Sequence, residues 1–196
     1  NIQKIFVLTQ FLSSSLHKHI FQTYRIENFS AGFIEVLGAE QRPNKSNWYQ
    51  GTADAVRQNM EYFLETPADF FLILSGDQLY HMDFRHMVQA AIQKDVDVLV
   101  ATLPVNARDA TRMGIMKVNE DHHIIDFYEK PSDSAVLNKM KTVPAVLDTM
   151  GLDALSEKCF LGSMGIYLFK RNALFDLLQQ DERDDFGKHL IPTQVK

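Results

Sequence analysis

Apolar residues in this chain alternate between short continuous runs and helically spaced positions. Four runs are typical of buried strands: residues 5–8, 33–37, 69–75 and 97–103. Three stretches repeat apolar side chains every three or four positions, as on one face of a helix: residues 11–24, 52–64 and 82–94. Strands that alternate with helices predict an α/β fold with a mixed, mostly parallel sheet and helices on both of its faces.

The pattern changes after Pro104. Apolar residues 114–118 and 124–128 flank the polar segment Asn119–His123, which predicts an antiparallel hairpin. Further on, residues 132–158 indicate a helix and a surface loop, 164–169 a strand, and 173–178 a short helix. The chain has no internal repeat and no linker rich in Pro, Gly or Ser, so we expect one domain over residues 1–196.

Composition narrows the classes of partner. The formal net charge of −5 argues against binding to nucleic acid, which usually needs a basic patch. No apolar run reaches the roughly 20 residues that cross a bilayer. The single Cys159 cannot form an intramolecular disulfide, so we expect a reducing, cytoplasmic compartment and no membrane partner.

Asp77 is the first candidate for chemistry. Ligands of open α/β sheets bind beyond the carboxyl ends of the strands, and Asp77 follows the apolar run 69–75 and Gly76. A carboxylate there can hold Mg²⁺ against phosphate oxygens. The alternative is an aspartate that caps the next helix.

Two other segments carry candidate binding residues. Glu129–Pro131 ends a hairpin strand, where Lys130 can meet an anionic substrate as a point charge or can simply be a solvated surface charge. Trp48–Tyr49 stands beside Gly51–Thr52 before a predicted helix, as a platform for a nucleotide or sugar or as part of the core.

Glycine-rich phosphate loops are absent from the sequence. The nine glycines form neither G-x-G-x-x-G nor G-x-x-x-x-G-K-[ST]. The seven histidines lack metal-ligand spacing. We therefore expect the group that holds a triphosphate to lie outside this chain.

Several segments together resemble ADP-glucose pyrophosphorylases, in the order of that family. They are Lys4–Gln10, Trp48–Val56, Leu74–Tyr80, Gly114–Lys117, Glu129–Pro131, Ser163–Tyr167 and Asp185–Pro192. The W-Y-x-G-T-A-D-A-V block is specific to this family, whereas E-K-P and G-D recur in other sugar nucleotidyltransferases.

The resemblance implies a Rossmann-like nucleotidyltransferase fold and a reaction. ATP and glucose 1-phosphate give ADP-glucose and pyrophosphate, with Mg²⁺, in glycogen or starch synthesis; a plant enzyme would be plastidic. It assigns catalysis to Asp77 and Lys130. Asp77 would also hold Mg²⁺, and Lys130 would also bind the phosphate of glucose 1-phosphate. The other implied glucose 1-phosphate contacts are Tyr49, Gly114, Glu129 and Ser163, and the nucleotide contacts are Gln10, Gly51 and Thr52.

The sequence departs from the family in two ways. Gln78 and Met113 stand where His and Phe are usual. The family's G-G-x-G-x-R-L loop, its basic catalytic residue, its first strand, a second metal carboxylate and its C-terminal β-helix have no counterpart here. The resemblance therefore implies an incomplete domain, whose full-length form is an allosteric homotetramer.

Three alternatives remain from the sequence. One is a regulatory, non-catalytic subunit of the same enzyme, and another is a transferase for a different sugar 1-phosphate or nucleotide. A plain α/β ligand-binding domain is the third.

Overall fold

The computed structural model describes residues 2–24, 32–39, 48–153 and 156–195. The chain forms two compact units, Asn1–Thr66 and Pro67–Lys196, which we describe separately. Residues 154–155 of the predicted surface loop lie outside the described residues. Helices combined with parallel and antiparallel strands confirm the predicted α/β class with a mixed sheet pattern. The extent of a single, incomplete domain stays a prediction.

The first unit contains a pair of parallel strands. Strand β1 (Lys4–Thr9) pairs with β2 (Phe33–Gly38) in a register that runs from Lys4 opposite Phe33 to Thr9 opposite Gly38. Its helices are α1 (Ser13–Thr23), α2 (Thr52–Gln58) and α3 (Met60–Glu65). The two strands and α1 agree with the sequence pattern to within about two residues.

Asn59 divides the single helix predicted over residues 52–64. Its backbone (φ −106°, ψ 14°) leaves the helical conformation between α2 and α3. The Asn59 side-chain amide donates to Tyr49 Oη and to the Ala55 carbonyl, both at 2.8 Å. Side-chain hydrogen bonds of this kind compete with the hydrogen bonds of the helix backbone and can interrupt it. The spacing of apolar residues does not record such a bond, so it predicts one continuous helix.

The second unit is built on one sheet of five described strands. They are β3 (Phe70–Leu74), β4 (Val98–Val105), β5 (Gly114–Val118), β6 (Ile124–Glu129) and β7 (Phe160–Lys170). Strand β7 is central: β4 pairs with one of its edges, and β3 and β5 share the other. Strand β6 pairs with β5 and completes the predicted hairpin.

The expected majority of parallel pairs is not found among the described strands. Only β1 and β2 pair in parallel, whereas every pair in the five-stranded sheet is antiparallel. Strands β3 and β4 do run in the same direction, with α4 (Phe84–Lys94) between them in sequence. They are not hydrogen-bonded to each other, because β7 runs back between them.

Helices cover this sheet. Besides α4 they are α5 (Ala107–Ala110), α6 (Ser134–Lys139), α7 (Pro144–Thr149), α8 (Arg171–Gln180), a π-helix (Phe186–Leu190) and α9 (Ile191–Gln194). One core cluster joins Met87 and Ala91 of α4 to Ile166 and Leu168 of β7. None of the described helices is long and apolar enough to span a membrane.

A bulge interrupts β7 at its pairing with β4. Val100 lies opposite Tyr167 and Thr102 opposite Ser163, so three residues of β7 face one of β4. Within the bulge Gly165 has φ +64°, in the left-handed region. A Cβ there would lie 2.8 Å from Ser75 Oγ. Both constraints require glycine at this position.

Substituting Gly165 tests the bulge. Gly165→Ala should lower the free energy of unfolding by about 2–3 kcal/mol, since it combines left-handed strain with a close contact. Gly151→Ala is the control: Gly151 has φ +71°, but a Cβ there would have nothing within 4 Å, so a loss of about 1 kcal/mol is expected. Urea denaturation measures both. Equal losses would contradict the contact with Ser75, and Ser75→Ala should recover part of the Gly165→Ala loss.

Candidate functional site

The open end of the β5–β6 hairpin brings three of the predicted residues together. Gly114 lies opposite Glu129, and the Lys130 amide donates to the Met113 carbonyl at 3.0 Å. A Cβ on Gly114 would lie 2.7 Å from Phe127 Cζ and 2.8 Å from Glu129 Oε2. Gly114 therefore makes room for the Glu129 side chain.

Lys130 combines an unusual backbone with an accessible charge. Its φ of +49° is in the left-handed region, which is unfavourable for a lysine. Its Nζ is 3.7 Å from Glu129 Oε1, and the Lys130 side chain is 63% exposed. Exposed ion pairs of this type are weak, so the ammonium group can turn toward an anion at little cost.

Ser163 and Tyr167 on β7 extend the site. Ser163 Oγ accepts a hydrogen bond from the Gly165 amide at 3.2 Å, and the Ser163 hydroxyl acts on the pKa of Tyr167. A Cβ on Gly187, in the π-helix, would lie 3.2 Å from Tyr167 Oη, 3.6 Å from Asp185 Oδ1 and 3.7 Å from Glu129 Oε2. Two carboxylates and a phenol thus surround the backbone of one glycine.

The environment of Tyr167 opposes its ionisation. Burial raises the pKa of the phenol above its ordinary value of 10.0, and the Asp185 and Glu129 carboxylates act in the same direction. The Ser163 hydroxyl acts in the opposite direction and lowers the pKa of the phenol. Tyr167 is therefore a neutral hydroxyl group at physiological pH, able to donate one hydrogen bond and accept others.

Asp77 lies exposed in the turn that follows β3. This turn is next to the β7 bulge: Ser75 Oγ donates to the Gly165 carbonyl at 3.4 Å, and a Cβ on Gly165 would lie 3.6 Å from Gln78 Nε2. The bulge thus links the loop of Asp77 to Ser163. Gly114, Glu129 and Lys130 lie together at the hairpin end, and Glu129 approaches Tyr167 through the position of Gly187.

Asp77 offers one carboxylate, which suits a metal ion whose other ligands come from a substrate and water. In the described parts of the chain no three His, Cys, Asp or Glu side chains are grouped to hold a metal by themselves. Mg²⁺ is commonly bound by one or two carboxylates, with phosphate oxygens and water as its other ligands. The single exposed carboxylate of Asp77 fits that arrangement.

An exposed aromatic stack marks the predicted site of the first unit. The rings of Phe11 and Trp48 are stacked at 5.3 Å and 26°, and their residues are 71% and 49% exposed. Gln10 precedes Phe11, and Tyr49 follows Trp48, so the stack brings these two predicted residues to the same end of the unit. Gln10 Oε1 is buried and has no hydrogen-bond partner among the described atoms.

Gly51 and Thr52 complete this segment at the start of α2. Gly51 is fully extended (φ 179°), and Thr52 is the exposed first residue of the helix. The Gln50 amide donates to Asp54 Oδ2 at 2.9 Å, which ties the segment to α2. The backbone that follows Tyr49 is therefore ordered by its own helix.

The sequence motifs assign no individual role to Tyr167, Asp185 and Gly187. Tyr167 is the one tyrosine in the apolar strand β7, and a buried phenol needs a hydrogen-bond partner. That signal was available in the sequence. The proximity of Asp185 and Gly187 was not, because it depends on the return of the π-helix to β6 and β7.

Tyr167 provides a pH test. Its raised pKa stabilises the fold up to the unfolded value near pH 10, and this contribution is lost as the pH rises through the folded pKa. The free energy of unfolding should therefore fall above pH 10, and Tyr167→Phe should reduce the fall. Urea denaturation across this range measures it. Tyr128→Phe, on the more exposed β6, is the control; an equal effect of both variants would contradict the assignment.

A comparison with protein families places the whole chain in one family. The family model described as nucleotidyl transferase matches residues 1–196.

Proposed function

The chain belongs to the nucleotidyl transferase family, and we propose that it transfers the adenylyl group of ATP to glucose 1-phosphate, giving ADP-glucose and pyrophosphate. The observation that carries the proposal is the group of hydroxyls and carboxylates around Gly187, with the exposed ammonium of Lys130 on the residue next to Glu129. Hydrogen-bonding groups beside one cation suit a polyhydroxyl compound that bears a phosphate.

The residues of the second unit would bind the sugar phosphate. Glu129 and Asp185 can accept hydrogen bonds from sugar hydroxyls, while Tyr167 and Ser163 can donate or accept. Lys130 would meet the phosphate as a point charge.

Glycine supports the same proposal. At Gly114 and Gly187 a side chain would press on Glu129 or approach Tyr167 Oη, so the absence of a Cβ keeps the space between the polar groups open. Tyr49, which the resemblance also assigns to the sugar, belongs to the first unit.

The residues of the first unit would bind the nucleotide. The Phe11–Trp48 stack is an exposed flat surface on which a base can stack. The side-chain amide of Gln10, next to Phe11 in sequence, would turn out of its buried position to hydrogen-bond a base. Gly51 and Thr52 follow the stack closely in sequence.

The reaction requires positioning and charge neutralisation and no protein nucleophile. An oxygen of the sugar phosphate attacks the α-phosphorus of ATP; a P–O bond forms there, and the bond from the α-phosphorus to the bridging oxygen of pyrophosphate breaks. Lys130 orients the attacking phosphate and reduces its repulsion from ATP. Mg²⁺, held by Asp77 and phosphate oxygens, would supply further charge neutralisation.

Turnover is proposed to need residues beyond these 196. The chain has no glycine-rich phosphate loop, and scattered side chains do not replace a cradle of backbone amides. By the resemblance, the complete enzyme is an allosteric homotetramer with a β-helix domain, in glycogen or starch synthesis. Kinetic tests therefore belong in an active enzyme that contains this chain.

A regulatory subunit is the second candidate. Its binding site could survive without catalysis. The presence of both Asp77 and Lys130 favours the catalytic role, because a subunit that only regulates can lose them. For the choice of nucleotide, the Trp48–Val56 block favours ATP over other nucleoside triphosphates.

Lys130→Ala should raise the KM for glucose 1-phosphate far more than the KM for ATP. One charged contact with a phosphate is worth about 1.5–3 kcal/mol, or roughly ten- to a hundredfold in affinity. Lys139→Ala is a matched control, since Lys139 is 61% exposed and is also paired with a carboxylate, Asp126. Initial-rate kinetics with each substrate varied separates the two effects. Equal increases for both substrates would point to a structural role of the hairpin.

Asp77→Asn should lower kcat by orders of magnitude, because the amide loses the charge that holds Mg²⁺. Asp121→Asn, an exposed aspartate in the β5–β6 turn, should leave kcat unchanged. ADP-glucose formation at several Mg²⁺ concentrations measures both variants. Near-normal turnover of Asp77→Asn would reduce Asp77 to a turn residue and contradict its proposed role.

A further inference from the structure

Met113 lies against both segments that carry Lys130 and Ser163. It lies between α5 and β5, and its carbonyl accepts the Lys130 amide at 3.0 Å. This bond extends the β5–β6 pairing one residue past Gly114 and Glu129. It holds Lys130 where the backbone is left-handed.

The Met113 side chain points the other way, onto β7. Its Sδ and Cε atoms each lie 3.1 Å from the position that a Cβ on Gly162 would occupy. Gly162 immediately precedes Ser163 and pairs with Ile115. The thioether therefore occupies the space of a missing side chain, directly beside the residue that presents the Ser163 hydroxyl.

From these contacts we infer that Met113 is a positioning residue that fixes Lys130 and Ser163 relative to each other. The Met113 carbonyl accepts the hydrogen bond of the Lys130 amide, and the Met113 side chain packs against the strand that carries Ser163. A flexible, unbranched side chain suits this place, because it can fit closely over a glycine. What Lys130 and Ser163 bind rests on the proposed function. The coupling between them does not.

Core packing is the competing explanation, and Met140 separates the two. Met113 and Met140 belong to the same cluster, with Val105, Ala110, Ile115 and Phe160, but Met140 is completely buried and Met113 only partly. Truncating either should lower stability. Only the truncation of Met113 should change the hydrogen exchange of the Lys130 amide and the KM for glucose 1-phosphate.

The first test uses the 196-residue chain and needs no turnover. Hydrogen exchange of the Lys130 amide should become on the order of tenfold faster in Met113→Ala than in wild type, measured where both are fully folded, because the turn that accepts its bond is loosened. Met140→Ala should leave this amide unchanged. Equal exchange of Lys130 in both variants would overturn the inference.

The second test uses initial-rate kinetics of an active enzyme that contains the chain. Met113→Ala should raise the KM for glucose 1-phosphate on the order of tenfold, with an unchanged KM for ATP, since small displacements of positioning groups are costly. Met113→Leu should restore the wild-type value. Met140→Ala should change neither constant, and a KM increase as large as that of Met113→Ala would overturn the inference.

A double variant that enlarges Gly162 and truncates Met113 provides a further check. Gly162→Ala should raise the same KM, because its methyl group enters the space of the thioether, and adding Met113→Ala should relieve it. Additive increases in the double variant would overturn the coupling. Wild-type enzyme that fails to use glucose 1-phosphate would reject the proposed function alone, because the exchange experiment still decides the role of Met113.

Discussion

Strand β7 has two edges and three partner strands, and the arrangement of the second unit depends on how those partners share it. Strand β4 takes one edge along almost its whole length, so β3 and β5 must divide the other between them. This division places the turn after β3 and the end of the β5–β6 hairpin against neighbouring stretches of the same strand. Asp77 and Lys130 follow those two elements, and Ser163 lies on β7 between the two pairing regions. A shift in the register of β7 would displace Asp77, Lys130 and Ser163 relative to one another.

The close approach of side chains to glycine backbones is the second constraint. At each of four glycines a side-chain group lies within about 3 Å of the place of a Cβ. The groups are the Phe127 ring and the Glu129 carboxylate at Gly114, a thioether at Gly162, a serine hydroxyl at Gly165 and a phenol at Gly187. Only Gly165 also needs a positive φ. At the other three positions glycine is needed because a Cβ would crowd the neighbouring group, and not because of its backbone conformation. The polar groups around Gly187 can approach each other because the side chain that would separate them is absent, and the low local solvation of Tyr167 follows from the same closeness.

The order of elements could be read from the sequence because each has a strong local signal. The runs 69–75 and 97–103 became β3 and β4, and the polar segment Asn119–His123 became the hairpin turn. The direction of β7 could not be read, since an apolar run has the same composition whichever way its neighbours run. Lys130, Glu129 and Gly114 were predictable from motif order, and the hairpin brings them together. Asp185 and Gly187 were not, because a π-helix that ends near β6 leaves no periodic pattern. The division at Asn59 was missed because a side-chain hydrogen bond overrode a regular apolar spacing.

The late position of β7 also has a consequence for the order in which the chain can fold. Residue 70 pairs with residue 170, so β3 has no described partner strand until the ribosome has added about a hundred more residues. Strand β4 waits for a shorter interval, since Val105 pairs with Phe160, while β5 and β6 can form their hairpin locally. Contacts this distant in sequence fold slowly, and unpaired strand edges favour aggregation in the meantime. During synthesis the nascent chain therefore carries two apolar strands without their common partner, and a chaperone that covers their edges would protect the chain until β7 is made.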